Sequence, residues 1–440
     1  MQKTLYMAIM CLMGVCYSTC CAAQYYTHIA KRDIRTLRVQ YVQAESLQRP
    51  FLVLNGNSLD GSDPSNTLEI SFDELSHDIR QYSYTIQHLN SDWKPSSLSS
   101  YEYLDGFTTA DIVDYATSNN TQQNYTHYSF TFPNEDMQLS ASGNYVLTIY
   151  EDGDMDNTVA FVCFSVVEPL VGISADVRSN TDIELSGRYQ QLDIAVQTAA
   201  IDLKDANTVK VVVRQNNRLD NEVTLTSPTY IEPNLLRYKN QKKLIFEGGN
   251  EFRHFDAYST YYAGYHIDRI RYVQGEYHVL LDIDEVRGTM AQGAGREGTP
   301  YLTEYDTNGQ LRINAEKADD SDTEAEYAWV HFTLPVKHYI TDANVFVGGD
   351  VFYNLFTADN RMEYDAEAQC YYLYAYLKQG GYDYLYYVLS DDALDNVSVG
   401  ASLLPLEGSH WQTHNAYTIY VYYRPFGSRY DRLVGLQWVQ

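Results

Sequence analysis

The residues whose spacing could support chemistry most directly are the three aspartates of the segment Glu151-Asp152-Gly153-Asp154-Met155-Asp156. Alternating carboxylates of this kind can converge on a calcium ion. A helix–loop–helix calcium site that begins at Asp152 would need its bidentate acid at position 163, which is a cysteine, and the flanking residues have strand composition. Aspartate and glycine are also favoured in tight turns. The segment therefore favours a solvated hairpin tip over a metal site.

Other motifs for catalysis or ligand binding are not found in the sequence. It contains no H-E-x-x-H zinc motif, no G-x-S-x-G nucleophile turn and no glycine-rich phosphate loop. Two of its 58 acids could meet in space as a glycosidase pair, but with so many acids that possibility carries no information. We therefore expect no catalytic residue, no cofactor and no metal, and a protein that is not an enzyme.

The charge of the chain narrows the choice of partner. The formal net charge is −27, from 31 lysines and arginines against 58 acids. Such a surplus repels nucleic-acid phosphates and anionic lipid surfaces, and it favours solubility. No nucleic acid is expected as a partner.

The N-terminus has the organisation of a secretory signal. Lys3 precedes an apolar run from Leu5 to Val15, and small residues end at Ala23. This order predicts a signal peptide over residues 1–23, with cleavage after Ala23. The alternative, lipidation after cleavage before Cys20 or Cys21, lacks the expected upstream residues because the chain there is Tyr17-Ser18-Thr19. No later apolar run approaches the ~20 residues of a membrane-spanning helix, so no direct span is expected.

Cleavage would leave two cysteines, Cys163 and Cys370, in the mature chain. A disulfide framework is therefore not expected, and we interpret the two thiols as small buried hydrophobic groups.

The 42 tyrosines indicate the fold class. Many lie in clusters typical of strands, because a tyrosine ring suits a half-buried pleated surface. No segment keeps a helical apolar period over three turns. The pattern predicts an all-β chain of antiparallel β-sandwiches, with strands that include 36–42, 68–72, 82–86, 125–131, 144–150, 159–167, 171–177, 192–196, 209–214, 277–282, 327–334, 344–347, 370–378, 381–389 and 417–424.

Two prolines suggest the domain boundaries. Pro169 follows one predicted strand and Pro335 follows another, and proline cannot donate to a central strand ladder. With about 100–200 residues per domain, the chain is predicted to form three consecutive sandwiches at 24–168, 169–335 and 336–440, the last immunoglobulin-like.

The last of these domains resembles carbohydrate-binding modules of the glycogen-binding type. The resemblance lies in 345–352, 362–365 and 380–388. In those modules tryptophans stack on sugar rings, whereas the corresponding tip here reads Tyr353-Asn354-Leu355-Phe356. The scaffold could have lost sugar binding, or the protein could be an exported glycan-binding protein that uses Trp411 or Tyr353.

A second resemblance extends from about residue 30 to the C-terminus. The chain is similar to the plug proteins of the bacterial type IX secretion system in a series of ordered segments. They are Tyr82–His88, Ser91–Ser96 with Trp93, Tyr101–Phe107 with Asp105 and Gly106, Tyr125–Tyr128 with Phe132–Met137, Ser142–Tyr145 with Tyr150–Asp154, Gly248–Arg253 with Asn250, Glu251 and Arg253, Asp320–Tyr327, and Tyr422–Leu433 with Arg424, Pro425 and Arg429.

The resemblance implies a steric function. A plug protein would be periplasmic, at the inner side of the outer membrane, and would close the periplasmic mouth of a giant outer-membrane β-barrel translocon, its expected partner. A barrel wide enough for folded proteins is an aqueous channel and would otherwise leak.

Overall fold

The computed structural model describes residues 24–43, 50–76, 78–291, 298–391 and 400–440. The signal peptide predicted at 1–23, with its cleavage after Ala23, lies outside these residues. Within them the chain is built of β-sheets, with one short helix, α1 (Ser321–Glu324), and 3₁₀ turns at Pro64–Asn66, Ser100–Glu102, Ala206–Thr208, Lys242–Leu244 and Asp350–Phe352. The all-β prediction is confirmed. Most strand pairs are antiparallel. The strand Leu52–Val53 is parallel to Thr158–Val167, and Glu276–Leu281 is parallel to Tyr327–Pro335.

The N-terminal sandwich packs two sheets around an aromatic core. One sheet has the order β1-β12-β11-β5-β7 with β3 beside β12, the other is β2-β4-β9-β8, and β6 and β10 form a ribbon. Tyr82 and Tyr128 contact edge to face at 4.8 Å in the core. Its strands are β1 (His28–Ile29), β2 (Ile34–Tyr41), β3 (Leu52–Val53), β4 (Leu68–Glu74), β5 (Tyr82–Leu89), β6 (Leu104–Gly106), β7 (Thr109–Ile112), β8 (Asp114–Thr117), β9 (Thr126–Phe132), β10 (Met137–Leu139), β11 (Gly143–Glu151) and β12 (Thr158–Val167).

The predicted hairpin tip joins β11 to β12. Asp152 and Gly153 have left-handed φ angles of 55° and 70°, as a tight turn requires. Glu151 is engaged in ion pairs with Lys31 and Arg80.

The middle sandwich is assembled from two separate parts of the chain. One sheet has the order β13-β14-β18-β17 with β19 beside β14, and the other is β16-β15-β29-β30. Its strands are β13 (Gly172–Arg178), β14 (Tyr189–Gln197), β15 (Val209–Gln215), β16 (Val223–Leu225), β17 (Tyr230–Glu232), β18 (Leu235–Tyr238), β19 (Ile245–Glu247), β29 (Tyr417–Tyr423) and β30 (Arg432–Val439).

The inserted sandwich lies in sequence between β19 and β29. Its sheets are β20-β28-β23, with β25 beside β28, and β21-β22-β24-β27-β26. The strands are β20 (Arg253–Asp256), β21 (Ile267–Val273), β22 (Glu276–Leu281), β23 (Leu311–Ile313), β24 (Tyr327–Pro335), β25 (Ala343–Gly348), β26 (Glu363–Asp365), β27 (Cys370–Lys378) and β28 (Gly380–Ser390).

This pairing corrects the predicted boundary between 335 and 336. β24 lies before that boundary and β27 after it, and the two strands pair along the whole length of β24. β15 pairs with β29, which is about 200 residues further along the chain. Pro335 is the last residue of β24, where a missing N–H costs no central ladder bond. The proline marks the end of a strand, and the third sandwich is inserted into the second instead of following it.

Candidate functional site

Trp93 lies in the contact between the N-terminal and middle sandwiches. Its ring is buried against β5 and β11, and its φ angle of 56° is left-handed. The guanidinium carbon of Arg214, on β15, is 5.2 Å from the centre of the Trp93 ring and 5.6 Å from that of Tyr420. Glu222 accepts a hydrogen bond from Arg214 Nε at 2.6 Å. A paired cation of one sandwich is therefore stacked on an aromatic ring of the other.

Asp431 joins the same two sandwiches. Its Oδ2 accepts hydrogen bonds from Ser91 Oγ at 2.6 Å and Lys210 Nζ at 3.1 Å, and its Oδ1 accepts one from Arg424 Nε at 2.7 Å. Arg424 also donates to Asn90 Oδ1 at 2.9 Å. Burial raises the pKa of Asp431, but Ser91 and the two cations more than offset it and lower the pKa below its usual value. Two segments of the family resemblance therefore meet here.

Arg429 and Pro425 fix the turn that connects β29 to β30. Arg429 forms an ion pair with Glu102 of the N-terminal sandwich. The Pro425 carbonyl accepts a hydrogen bond from Ser428 N at 3.0 Å, which closes the turn. Phe426, between them, is fully exposed.

Two further exposed aromatic side chains flank β6, the strand that follows the turn to which Arg429 is tied. Tyr101 precedes Glu102 and is 86% exposed, and Phe107 follows β6 and is 66% exposed. We call Tyr101, Phe107 and Phe426 the aromatic corner. Isolated exposed hydrophobic side chains are common, whereas several on tethered neighbouring loops are a feature of interaction sites.

Asp105 and Gly106 lie on β6, which pairs with β10, and they contribute to the backbone structure there. Both are exposed, and Asp105 is paired with Gln138 in the ribbon. Gly106 has a φ of 109°, and a Cβ atom there would be 2.1 Å from the carbonyl oxygen of Asp136. Only glycine fits that close approach of two backbones.

A buried ion pair joins the N-terminal and inserted sandwiches. Lys378 Nζ is 2.5 Å from Asp73 Oδ2, and both side chains are about 1% exposed. Asp73 also accepts hydrogen bonds from Tyr327 Oη at 2.7 Å and from His127 Nδ1 at 2.6 Å. The ammonium group lies 4.2 Å from the centre of the Tyr125 ring. Burial raises the pKa of Asp73, but Lys378 and His127 lower it overall.

The acidic run 319–326 belongs to this contact, although its composition is typical of an exposed loop. Asp322, in α1, forms an ion pair with Arg38 at 2.5 Å. Glu326 is buried and accepts hydrogen bonds from the backbone N–H groups of Gln122 and Gln123. The later part of the run, from Asp322 to Glu326, therefore docks one sandwich onto another, whereas Asp319 and Asp320 are exposed.

The third contact is formed where the chain enters and leaves the inserted sandwich. Asn250 Nδ2 donates to the Glu407 carbonyl at 2.8 Å, and His410 N donates to the Gly249 carbonyl at 2.8 Å. Glu251 accepts hydrogen bonds from His414 Nδ1 at 2.8 Å and from Tyr301 Oη. The two crossing segments are therefore bonded to each other directly.

Arg253 is the central cation of this contact. It donates to both carboxylate oxygens of Glu407 at 3.0 Å and to Asp284 Oδ1 at 2.6 Å. Burial raises the pKa of Asp284, but Arg253 and His266 lower it to about 2. Arg253 and Arg287 likewise lower the pKa of the buried Glu407 below its usual value. Both acids are therefore ionised at neutral pH, and the charges of the network balance.

Of the two residues suggested for sugar stacking, Tyr353 is not presented to solvent as a platform. Tyr353 packs against the core of the N-terminal sandwich, and burial raises its pKa. Trp411 is 38% exposed, and its backbone carbonyl accepts a hydrogen bond from Gln190.

Within the described ranges, no group of three potential metal-ligating side chains is found. Cys163 and Cys370 are free thiols. None of the helices in the described part of the chain has the length and apolar character to cross a bilayer. His410 and His414, four residues apart, lie in an irregular segment.

Comparison with known proteins gives the family. The chain is 36% identical to a hypothetical protein from Parabacteroides merdae whose crystal structure superposes with a TM-score of 0.87, and the match covers 95% of this chain and 99% of that one. Residues 34–168 match the family described as the first domain of the type 9 secretion system plug protein. The chain belongs to the type 9 secretion system plug protein family. No curated protein matches it.

In this family member, the residues that carry the resemblance fall into groups according to where they lie in the structure. Trp93, Arg424 and Arg429 lie in contacts between sandwiches. Asn250, Glu251 and Arg253 lie in the network of the segments that enter and leave the inserted sandwich, and Asp105, Gly106 and Pro425 shape turns and backbone approaches. Sequence reasoning missed Asp73, Asp284, Lys378, Glu407 and Asp431. Lys378 ends a tyrosine-rich strand, and Glu407 and Asp431 adjoin turns, but no local signal marks Asp73 or Asp284.

Proposed function

We propose that this protein is a non-enzymatic periplasmic plug, which closes the periplasmic mouth of the outer-membrane β-barrel translocon of the type IX secretion system. Membership of the plug family supports a role in this secretion machinery. We further propose that the protein is located at the inner side of the outer membrane and binds directly to the barrel.

The observation that carries the proposal is that each sandwich is bonded to both others. Trp93 and Asp431 join the first pair, and Asp73 and Lys378 join the second. The third pair is joined by Glu247 of β19, which accepts a hydrogen bond from Ser402, a residue bridged to Val388 of β28. Three sheet pairs connected in this closed arrangement form a body that resists bending. A stiff body loses little conformational entropy on docking, so a broad contact can hold it and still release it.

The aromatic corner is the surface that we assign to the barrel. Its turn is held by Arg424 and Arg429, so Phe426 is presented on a fixed support. Exposed aromatic side chains on rigid turns supply much contact area at low entropic cost.

Replacing Phe426 and Tyr101 by alanine is expected to abolish co-purification of the giant barrel protein from detergent extracts. Removal of two aromatic anchors typically lowers affinity by at least about tenfold. Because both side chains are exposed, the thermal midpoint of the isolated variant should stay within a degree or two of that of the wild type.

The matched control is Ile231→Ala, on β17, in the other sheet of the middle sandwich. Ile231 is 68% exposed, and its removal should leave co-purification unchanged. Failure of the wild-type protein to recover any barrel protein would reject the proposed function. Recovery by the Phe426→Ala/Tyr101→Ala variant would reject only the assignment of the corner.

A further inference from the structure

A second exposed aromatic surface lies on the inserted sandwich, around His254. Three loops contribute to it: 258–266, 282–285 and 299–309. The exposed fractions of its six large side chains run from 49% to 99%. We call this set the tyrosine surface: Tyr261, Tyr262, Tyr265, Ile283, Leu302 and Tyr305.

Hydrogen bonds centred on His254 and His266 bring the three loops together. His254 Nδ1 and Nε2 lie 2.7 Å from Asp383 and 2.8 Å from Asp256, and the His254 ring is 6.2 Å from that of Tyr265. Asp383 also accepts a hydrogen bond from Thr307 N at 2.6 Å, which ties down the loop that carries Tyr305.

His266 fixes the third loop in the same way. Its Nε2 is 3.2 Å from Asp284, and its Nδ1 is 3.7 Å from Asp282. Ile283 lies between these two acids. The tyrosine surface is therefore one preorganised surface on fixed supports, not a set of scattered side chains.

Apart from the histidines, all ionisable side chains with a charge at neutral pH on these loops are acidic. The segments 254–268, 280–285 and 299–309 contain no lysine or arginine. Their acids are Asp256, Asp268, Asp282, Asp284, Glu285, Glu304 and Asp306. Three of these acids are paired with arginines just outside the segments, namely Asp268 with Arg269, Asp284 with Arg253 and Glu304 with Arg287, and burial raises the pKa of Asp306 to about 7. Acids still outnumber these cations, so the loops keep a negative charge. Tyrosine faces attract cations through the ring quadrupole, and neighbouring carboxylates strengthen that attraction. An anionic lipid or a nucleic acid would be repelled.

The protein itself shows such a contact at one edge of the surface. The ammonium group of Lys317 lies 4.4 Å from the centre of the Tyr261 ring. The neighbouring rings of Tyr262, Tyr265 and Tyr305 are exposed in the same acidic setting. We propose that the tyrosine surface binds a lysine- or arginine-bearing segment of a partner polypeptide. The proposal is independent of the plug function, because it concerns a different sandwich and a different surface.

The test is a calorimetric titration of the full mature protein with a peptide of four Arg-Ser repeats whose two termini are blocked. The test variant is Tyr262→Ser/Tyr265→Ser/Tyr305→Ser. The control variant is Tyr230→Ser/Tyr339→Ser/Tyr374→Ser, which removes three tyrosines that are 53% to 56% exposed elsewhere. Both variants keep the net charge, so nonspecific attraction to an acidic protein is the same in each.

The test variant is expected to weaken binding at least about tenfold and the control less than about twofold, because each cation–aromatic contact contributes roughly 0.5–1 kcal/mol at exposed sites. A peptide with citrulline in place of arginine should lose binding to the same extent. If the test variant fails to fold, Tyr305→Ser alone should weaken binding about threefold. Equal effects of the two variants, no binding by the wild type, or full binding of the citrulline peptide would each overturn the proposal.

Discussion

Replacing Lys378 by methionine is expected to lower the free energy of unfolding by about 3–5 kcal/mol, because the substitution leaves a buried charge without its partner. Asp73 is about 1% exposed, and after loss of the ammonium group it keeps only the hydrogen bonds from Tyr327 and His127. The measurement is urea unfolding at neutral pH, followed by circular dichroism.

The control for Lys378→Met is Lys204→Met. Lys204 forms an ion pair with Asp202 at 3.4 Å, but both side chains are more than three-quarters exposed, so its loss should change stability by less than about 1 kcal/mol. Removing the stranded acid as well, in Lys378→Met/Asp73→Asn, should recover a large part of the loss. Equal effects of the two lysine substitutions would contradict the role of Lys378 as a buried link between sandwiches.

Arg253→Met is expected to have an effect of similar size, again about 3–5 kcal/mol, and also to separate the unfolding of the inserted sandwich from that of the rest. Arg253 is the cation that holds Glu407, on the segment that leaves the inserted sandwich, against Asp284. Without it, the crossing segments keep their backbone bonds but lose their central charge. Scanning calorimetry should show two transitions in place of one.

Arg237→Met is the matched control, since its pair with Glu232 is on the surface. The difference in stability between wild type and Arg253→Met should also depend on pH. The pKa of Asp284 is lowered to about 2 in the folded protein, so its stabilisation is present above the unfolded value near 4. The difference should therefore shrink as pH falls from 4 toward 2. A difference that is constant over this range would contradict the ionic basis of the contact.

The strands with alternating tyrosine and β-branched residues could be predicted from the sequence because their pattern is local. The strand predicted at 370–378 has the observed bounds of β27, and that at 159–167 differs from β12 by one residue. Short strands with few apolar residues, such as β17 (Tyr230–Glu232), give no such signal.

The insertion of one sandwich into another could not be predicted, because it depends on pairing between distant strands. Nothing in Val209–Gln215 identifies Tyr417–Tyr423 as its neighbour. The buried charges were missed for a related reason. Asp73 lies on a strand covered on one face by its own core and on the other by a neighbouring sandwich, so the usual alternation between buried and exposed positions does not hold.

Permeability of the outer membrane tests the central claim most directly. The experiment uses a large fluorescent dye that an intact outer membrane keeps out of the periplasm. Its uptake would be compared in the parent bacterium, a deletion strain, and that strain complemented with the wild-type gene. A plug predicts that deletion raises uptake only while the barrel protein is present, and that complementation restores the barrier. Unchanged uptake after deletion, with the barrel present at its normal level, would contradict the account.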